Sequence, residues 1–332
     1  MKPAIQLLTL LFLSSLLFTG LASAETITLS SETQDLYTNG LIYTGTDELI
    51  LILKDDVVIN NITGNGIESY APLTIKGNGT LTVTGEENAI TAPSITILSG
   101  TINAFGGKDN GAVSCAINAN AGNLLILGGT INAFAESTSH KNKGLYADST
   151  VIILDGYITT TAKGTVNCFA IDGYASNKTG GVVIGGGTII ASALNGQSRN
   201  IGIDSKYGTV TITGNPVVLI YTDNTGSENF ALNPKILTLT GENAVVFAGC
   251  GSNCVLLQTA KLTRDLTLPR GKTFEIPAGL TLTVAKGVTF NAENAELIYT
   301  DNALNVESPM PILGIFAGLG LTTLLICRRE RR

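Results

Sequence analysis

The chain has 332 residues, of which 44% are hydrophobic and only 14% are charged, and its formal net charge is -6. So few charges are unusual for a cytosolic enzyme, in which about a quarter of the residues are charged. An acidic balance, with no basic patch before the last few residues, argues against a nucleic-acid partner. The 38 glycines and the many Thr, Asn, Ile and Val residues favour short strands joined by tight turns.

Residues 1–24 have the three parts of a secretory signal peptide. Met1-Lys2 is a short charged region, residues 7–21 are apolar, and Ala22-Ser23-Ala24 is a small-residue cleavage site. We therefore expect export, with cleavage before Glu25. An N-terminal membrane anchor is the alternative interpretation, but the apolar run is short for one.

Residues 25–64 are expected to form strands that cap the open end of the fold, and residues 65–232 carry a repeat. The repeat is marked by a glycine, usually followed by threonine, at intervals of 21 to 31 residues. The marker glycines are Gly79, Gly100, Gly129, Gly156, Gly187 and Gly214. A short strand precedes each marker, a second follows it, and an apolar pair such as Ala116-Ile117 precedes both.

Three short strands per unit of about 27 residues predict an all-β fold, a right-handed parallel β-helix. A β-propeller fits less well, because its blades need about 40 residues and antiparallel hairpins. The sequence Thr-Ile-Asn-Ala-Phe occurs at 101–105 and again at 130–134. We expect Phe105 to stack on Phe134, and Asn103 beside Asn132, as internal ladders of adjacent coils.

The repeat weakens after Pro216 but does not stop. Glu-Asn-Ala begins at residues 87, 242 and 293, and Leu-Ile-Tyr-Thr-Asp-Asn begins at 219 and 297. Residues 233–306 are therefore predicted to be an irregular continuation of the β-helix. A separate small β domain with a boundary near 233 is the alternative.

Residues 307–332 are predicted to be a membrane anchor with a basic tail. The sixteen apolar residues 312–327 would make a helix of about 24 Å, a little shorter than a hydrocarbon core of about 30 Å. The Arg-rich end would stay cytoplasmic, which leaves the β domain outside. This arrangement resembles the tripartite C-terminal sorting signals of bacterial and archaeal surface proteins. Anchoring in the cytoplasmic membrane and enzymatic transfer to the envelope both remain open.

One column of residues follows the apolar pairs down the coils. It consists of Glu68, Thr91, Asn118, Tyr146, Asp172 and Asp204. In register, Asp172 and Asp204 would lie about 5 Å apart, a separation that suits the two carboxyl groups of a retaining glycosidase. Solvated turn residues are the interpretation that we favour over catalysis.

Tyr146, Tyr157, Tyr174 and Tyr207 are predicted to cluster in the loops of successive coils. Tyr146, Tyr174 and Tyr207, together with the two aspartates of the column, are the candidate ligand-binding residues of a weak glycan surface. Tyrosines that merely close loop corners are the alternative. The absence of tryptophan argues against a strong stacking site.

Other candidate sites are minor. No cofactor is expected, although Asp172 and Asp204, helped by Asp148, Asp155 and Asp223, are candidate ligands for calcium. Cys250 and Cys254 are predicted to form a disulfide in an exported protein, with a metal-binding pair as the weaker alternative. N-glycosylation sequons begin at Asn61, Asn78 and Asn177.

The segments ELILILKDDVVINNITGNGIES and PLTIKGNGTLTVTGEENAI, with the Gly-Gly-Thr-Ile coils, resemble a family of secreted microbial carbohydrate-binding-domain-containing proteins. The resemblance covers about residues 45–215 and implies a repetitive β-helical, C-terminally anchored exoprotein that binds glycans. It transfers no signature binding residue to this chain. The apolar C-terminal segment and the charged residues that follow it also resemble the C-termini of surface proteins of methanogenic archaea.

Together these observations predict a non-catalytic, adhesin-like or carbohydrate-interacting protein of the cell surface. Its expected partners are a surface glycan or neighbouring envelope proteins, and the membrane through the C-terminal helix. A polysaccharide lyase or glycoside hydrolase that uses Asp172 and Asp204 is one alternative. A purely structural envelope protein is the other.

Overall fold

The computed structural model describes residues 24–37, 39–107, 113–138, 141–174, 180–300 and 302–307. Over these residues the chain is an all-β parallel β-solenoid of about 10 turns with almost no helix, which confirms the predicted β-helix and its repeats. The segments interpreted as a signal peptide and a C-terminal anchor lie outside the described residues, apart from the few that adjoin the solenoid. Among the residues described, no helix is both long enough and apolar enough to cross a membrane.

The strands, in chain order, are β1 (Ala24–Leu29), β2 (Leu41–Tyr43), β3 (Glu48–Leu53), β4 (Val57–Asn61), β5 (Ile67–Ser69), β6 (Leu73–Gly77), β7 (Thr80–Gly85), β8 (Asn88–Ala92), β9 (Ile95–Ile97), β10 (Thr101–Gly106), β11 (Val113–Ala119), β12 (Leu124–Ile126), β13 (Thr130–Ser137), β14 (Lys141–Ala147), β15 (Thr150–Ile153), β16 (Tyr157–Gly164), β17 (Asn167–Gly173), β18 (Gly181–Ile184), β19 (Thr188–Leu194), β20 (Arg199–Ile212), β21 (Val217–Thr222), β22 (Glu228–Leu239), β23 (Val245–Cys250), β24 (Asn253–Leu256), β25 (Ala260–Leu262), β26 (Leu266–Thr267), β27 (Thr273–Ile276), β28 (Leu282–Val284), β29 (Phe290–Asn291), β30 (Glu296–Tyr299) and β31 (Leu304–Val306). One short helix, α1 (Gln34–Tyr37), follows β1.

Three faces result from the stacking of equivalent strands of successive coils. Face one consists of β2, β5, β8, β11, β14, β17 and the first halves of β20 and β22. Face two consists of β1, β3, β6, β9, β12, β15, β18 and the second halves of β20 and β22. Face three consists of β4, β7, β10, β13, β16, β19, β21 and β23. Every pairing within these faces is parallel, and the stacking runs without interruption past residue 232 to Cys250.

The core is built by alternate side chains of the short strands. Ile131 and Ala133 of β13 point inward and are buried, and the equivalent residues of the neighbouring coils stack on them. A period of two is what a strand imposes on side-chain direction, so one residue in two enters the core. The repeated Leu, Ile and Val residues thereby form one continuous apolar column.

The repeated Thr-Ile-Asn-Ala-Phe segment pairs as predicted, but its ladders are not internal. Phe105 pairs with Phe134 and Asn103 with Asn132 in the register of β10 and β13. The two phenyl rings lie 6.5 Å apart, and Asn132 Nδ2 donates to Asn103 Oδ1 at 2.8 Å. Phe105 is exposed, because the inward positions of these strands belong to the Ile and Ala residues of the segment. The expectation of internal ladders was therefore wrong.

The marker glycines turn the chain from face two to face three. Gly129 and Gly156 have φ values of 92° and 112°, in the left-handed region that favours glycine. A Cβ on Gly156 would lie 2.7 Å from the carbonyl oxygen of Gly129. The recurring glycine thus allows both the turn and the close approach of successive coils.

The chain reverses at residues 250–253, where β24 pairs antiparallel with β23. Strands β24 to β31 then wind into further coils with a second hydrophobic core. Strands β21 and β23 have one side in each core: Val246 packs in the first, whereas Phe247 packs in the second, with its ring 5.3 Å from that of Phe274. Burial on both sides explains why these two strands are continuously apolar.

The C-terminal coils lie against the outer side of face three. Arg264 Nη1 binds Asp155 Oδ1 at 2.9 Å, which joins the turn after β25 to the turn before β16. Ile190 and Tyr221 of face three also pack against the second core. The C-terminal coils therefore fold back along the rod and leave the outer sides of faces one and two uncovered by this second set of coils.

Candidate functional site

The column of residues predicted from the sequence lies in register on the outer side of face one. Glu68 pairs with Thr91, Thr91 with Asn118, Asn118 with Tyr146, Tyr146 with Asp172 and Asp172 with Asp204. Asn233 of β22 extends the column by one position. The predicted adjacency of Asp172 and Asp204 is therefore confirmed, and the loop inserted between their coils does not shift the register.

A second column runs beside the first, three residues earlier on each strand, and its members are buried without belonging to the first core. It consists of Cys115, Lys143, Phe169 and Ile201. Lys143 is the one charged member of this buried column, and its Nζ lies 2.9 Å from Asp172 Oδ2. The same Nζ lies 3.4 Å from the centre of the Tyr146 ring, close enough for a cation–π contact.

Asp172 and Asp204 are buried within β17 and β20, so the interpretation of them as solvated turn residues was wrong, and burial changes their protonation. Desolvation raises the pKa of Asp172, against the opposing effect of the nearby Lys143 ammonium. Burial and then the negative charge of Asp172 raise the pKa of Asp204 to about 6, although Asn233 Nδ2 donates to its Oδ1 at 2.8 Å. The side chain of Asp172 is only 5% exposed, so a polymeric substrate has no direct access to it.

Tyr146, Tyr174 and Tyr207 lie beside this cluster, whereas Tyr157 begins β16 on face three, so the prediction that it belongs with them was wrong. The rings of Tyr174 and Tyr207 lie 5.9 Å apart in an edge-on arrangement, and they are 43% and 41% exposed. Tyr146 is half-buried, and its hydroxyl donates to Asp148 Oδ1 at 3.2 Å. We call Tyr146, Tyr174 and Tyr207 the tyrosine patch.

The tyrosine patch has cations at its base and at its edge. Lys143 Nζ lies 5.9 Å from the ring centre of Tyr174, and Lys206 Nζ lies 5.8 Å from that of Tyr207. The structure thus places together all five residues that the sequence suggested for ligand binding: Tyr146, Asp172, Tyr174, Asp204 and Tyr207.

Lys143 is the residue that the sequence interpretation missed. The column after the Ala-Ile pairs does not contain Lys143. A second alignment, three residues earlier, would have shown one lysine among apolar residues. A lone charge in an apolar column needs a partner, which is the signal that points to Asp172.

The predicted disulfide is not formed, and both cysteines are free thiols. They flank the hairpin between β23 and β24 on opposite sides of the sheet. Cys250 contacts the carbonyl oxygen of Asn229, whereas Cys254 is buried in the second core. Burial raises the pKa of the Cys254 thiol to about 11. The alternative of a metal-binding pair fails for the same geometric reason.

The three acids expected to help Asp172 and Asp204 bind calcium have other partners. Asp148 accepts from Tyr146, Asp155 binds Arg264, and Asp223 accepts from the backbone nitrogen of Asn195. Within the described ranges, no group of three or more His, Cys, Asp or Glu side chains is arranged to hold a metal ion.

The glycosylation sequons differ in accessibility. Asn61 Nδ2 donates to the Asn65 carbonyl oxygen at 2.7 Å, so the atom that a glycan would modify is already bound. Asn78 lies exposed in the turn before β7. Asn177 lies outside the described residues.

Where the C-terminal coils pack against face three, an open groove of about 490 Å³ lies between them. Its lining is mixed, with aromatic, amide and cationic side chains. The lining residues are Tyr157, Thr159, Ile190, Tyr221, Thr267, Leu268, Pro269, Arg270 and Asn294. The groove lies on a different face from the tyrosine patch, and none of the residues of the patch lines it.

Comparison of the chain with models of known protein families, with curated proteins and with solved structures finds no match. The function must therefore be inferred from the site's own residues.

Proposed function

We propose that this chain is an exported, adhesin-like envelope protein whose right-handed β-solenoid displays a non-catalytic glycan-binding site at the tyrosine patch. The observation that carries the proposal is the exposed Tyr174–Tyr207 pair, which lies directly beside a buried polar column. Ligand sites commonly combine aromatic surface with a few well-placed polar groups. A sugar ring has apolar C–H faces and a rim of hydroxyl groups, so it suits that combination.

The polar groups near the tyrosine patch support specific binding of a glycan rather than nonspecific adsorption. Asp204 is held by Asn233, and Lys206 lies beside the Tyr207 ring. Carboxylate, amide and ammonium groups offer both acceptors and donors to sugar hydroxyls. Tyrosine contributes large contact area with little loss of side-chain entropy on binding.

The cellular location is part of the same proposal. Residues 1–24 serve as a signal peptide, and residues 307–332 anchor the protein with the basic tail inside. The stiff stack of coils then holds the tyrosine patch away from the membrane. Neighbouring envelope proteins are the other partners that this position provides.

A glycan array tests the proposal with the full chain in mild detergent. We expect selective binding that falls at least tenfold in the Tyr174→Ala/Tyr207→Ala double variant. Tyr70→Ala removes a tyrosine that is more exposed but far from the cluster, and it should bind like the wild type. Failure of the wild type to bind any glycan would overturn the proposal and favour a purely structural envelope protein.

A polysaccharide lyase or hydrolase is the second candidate, and the raised pKa of Asp204 beside Asp172 favours it. Such a pair can divide the roles of acid and base, but the burial of Asp172 argues against substrate access. Incubation of a bound polysaccharide with the wild type and with Asp204→Asn distinguishes the two functions. Release of shorter chains by the wild type alone would establish the enzyme.

A further inference from the structure

The Lys143–Asp172 pair is a buried ion pair that holds an amine against a carboxyl group. The Lys143 amine and a carboxyl oxygen of Asp172 are 2.9 Å apart, and the two side chains are 11% and 5% exposed. Oδ2 is bonded directly to Cγ, the carbon atom that the amine would attack, so the ion pair holds the amine beside the reacting carbon, and exclusion of water prevents reversal by hydrolysis. The pair joins β14 to β17, which are successive strands of face one.

Apart from the Tyr146 ring and the charge of Lys141, the neighbours of this ion pair do little to stabilise its charges. Cys115 and Phe169 flank Lys143 in its column, and the Tyr146 ring covers its Nζ. Asp172 Oδ1 is buried and has no hydrogen-bond partner among the described residues. A buried ion pair with an unsatisfied oxygen is costly, because the attraction must offset the desolvation of both charges. Condensation of the two groups would remove both charges.

A third group is positioned to move protons. Asp204 is the register neighbour of Asp172 in the next coil, at a strand spacing of about 4.8 Å. It is buried, and its hydrogen bond from Asn233 fixes the orientation of its carboxyl group. Its raised pKa means that it accepts a proton at a higher pH than an ordinary aspartate does.

We propose that Lys143 and Asp172 form an intramolecular isopeptide bond, with Asp204 as the proton carrier. One ammonium proton passes to the Asp172 carboxylate, which leaves a neutral amine and a neutral acid. The amine lone pair forms the bond to Asp172 Cγ. Asp204 takes a second proton from nitrogen and returns it to the hydroxyl group, which leaves with its bonding electrons as water. One ammonium and one carboxylate thus become one amide and one water, and Asp204 ends as it began.

The bond would join two coils of the solenoid covalently, independently of whether the tyrosine patch binds a glycan. A lateral bond of this kind acts against separation of the coils. It therefore adds a modification site to the proposed envelope function rather than restating it.

Mass spectrometry of tryptic fragments from the unfolded full chain tests the bond. Segments 142–163 and 164–178 contain Lys143 and Asp172 respectively. We expect one linked species, lighter by one water than the two segments together and uncut after Lys143. Recovery of separate segments of full mass, with cleavage after Lys143, would overturn the proposal.

Variants assign the roles. Lys143→Arg should abolish the link, whereas Lys206→Arg, a matched change at the edge of the patch, should leave it complete. Asp204→Asn should fold, because the amide oxygen still accepts from Asn233, and should be linked at least tenfold more slowly. A folded Asp204→Asn chain that links as fast as the wild type would overturn the role given to Asp204.

Discussion

Asp172 and Asp204 occupy equivalent positions on adjacent strands of face one, yet they have different partners. Asp172 binds the ammonium of Lys143, whereas Asp204 accepts a hydrogen bond from the amide of Asn233. Two buried carboxyl groups so close together cannot both ionise without cost, so this difference determines which of them keeps its proton longer.

The stability of the protein should fall as the pH rises from about 4 to about 6. The pKa of Asp204 is about 6 in the folded chain and close to 3.8 in the unfolded chain. Between these values the folded state binds more protons, so deprotonation favours unfolding by up to about 3 kcal/mol. Asp204→Asn should remove this dependence and be more stable than the wild type at pH 7.5.

Urea unfolding at pH 4, 5, 6 and 7.5 measures the effect. Glu87→Gln changes an exposed carboxyl group and is the matched control, with the pH dependence of the wild type. A wild-type stability that rises over this pH range, or an Asp204→Asn variant with an unchanged pH profile, would contradict the account.

The inward and outward residues of the repeated segment should differ sharply in their contribution to the free energy of unfolding. Ile131 is buried in the first core, so Ile131→Ala should lower the free energy of unfolding by about 2–5 kcal/mol. Phe134 lies on the outer side of the same strand, and Phe134→Ala should cost about 1 kcal/mol or less. Equal effects of the two variants on urea unfolding would show that the strand is turned over.

The cysteines should react as free thiols. Cys250 is partly exposed and should be labelled by a thiol reagent in the native protein at pH 8. Cys115 and Cys168 should be labelled only after unfolding, because burial raises the pKa of each thiol to about 12. Mass spectrometry of labelled peptides gives the sites. If Cys250 and Cys254 of the native chain both stay unlabelled until a reductant is added, the two cysteines form a disulfide and the prediction of free thiols is wrong.

The fold could be predicted because the sequence repeats with the period of the coils. The marker glycines and the alternating Ile and Leu residues fix which residues stack, so the register of Asp172 on Asp204 followed from counting alone. The direction of the ladder residues did not follow, because Phe105 is as apolar as the core residues beside it. A period of two identifies the two sides of a strand but not which side faces inward.

Other features depend on contacts between distant segments. The approach of Arg264 to Asp155 requires the reversal at residues 250–253, for which the sequence has no periodic signal. The same reversal explains the failure of the disulfide prediction, since the spacing of Cys250 and Cys254 suggests a small loop but not opposite sides of a hairpin. The partner of Asp172 lies three positions out of register and was overlooked for that reason.

Hydroxyl-radical footprinting of the full chain, with and without purified cell-envelope polysaccharide, tests the central claim most directly. If the glycan binds at the tyrosine patch, oxidation of Tyr174 and Tyr207 falls at least threefold when the polysaccharide is bound. Tyr70 is then oxidised equally in both samples. Protection of Tyr157 alone would place the ligand in the groove beside face three. That result, or equal oxidation of every tyrosine with and without polysaccharide, would contradict a glycan site at the tyrosine patch.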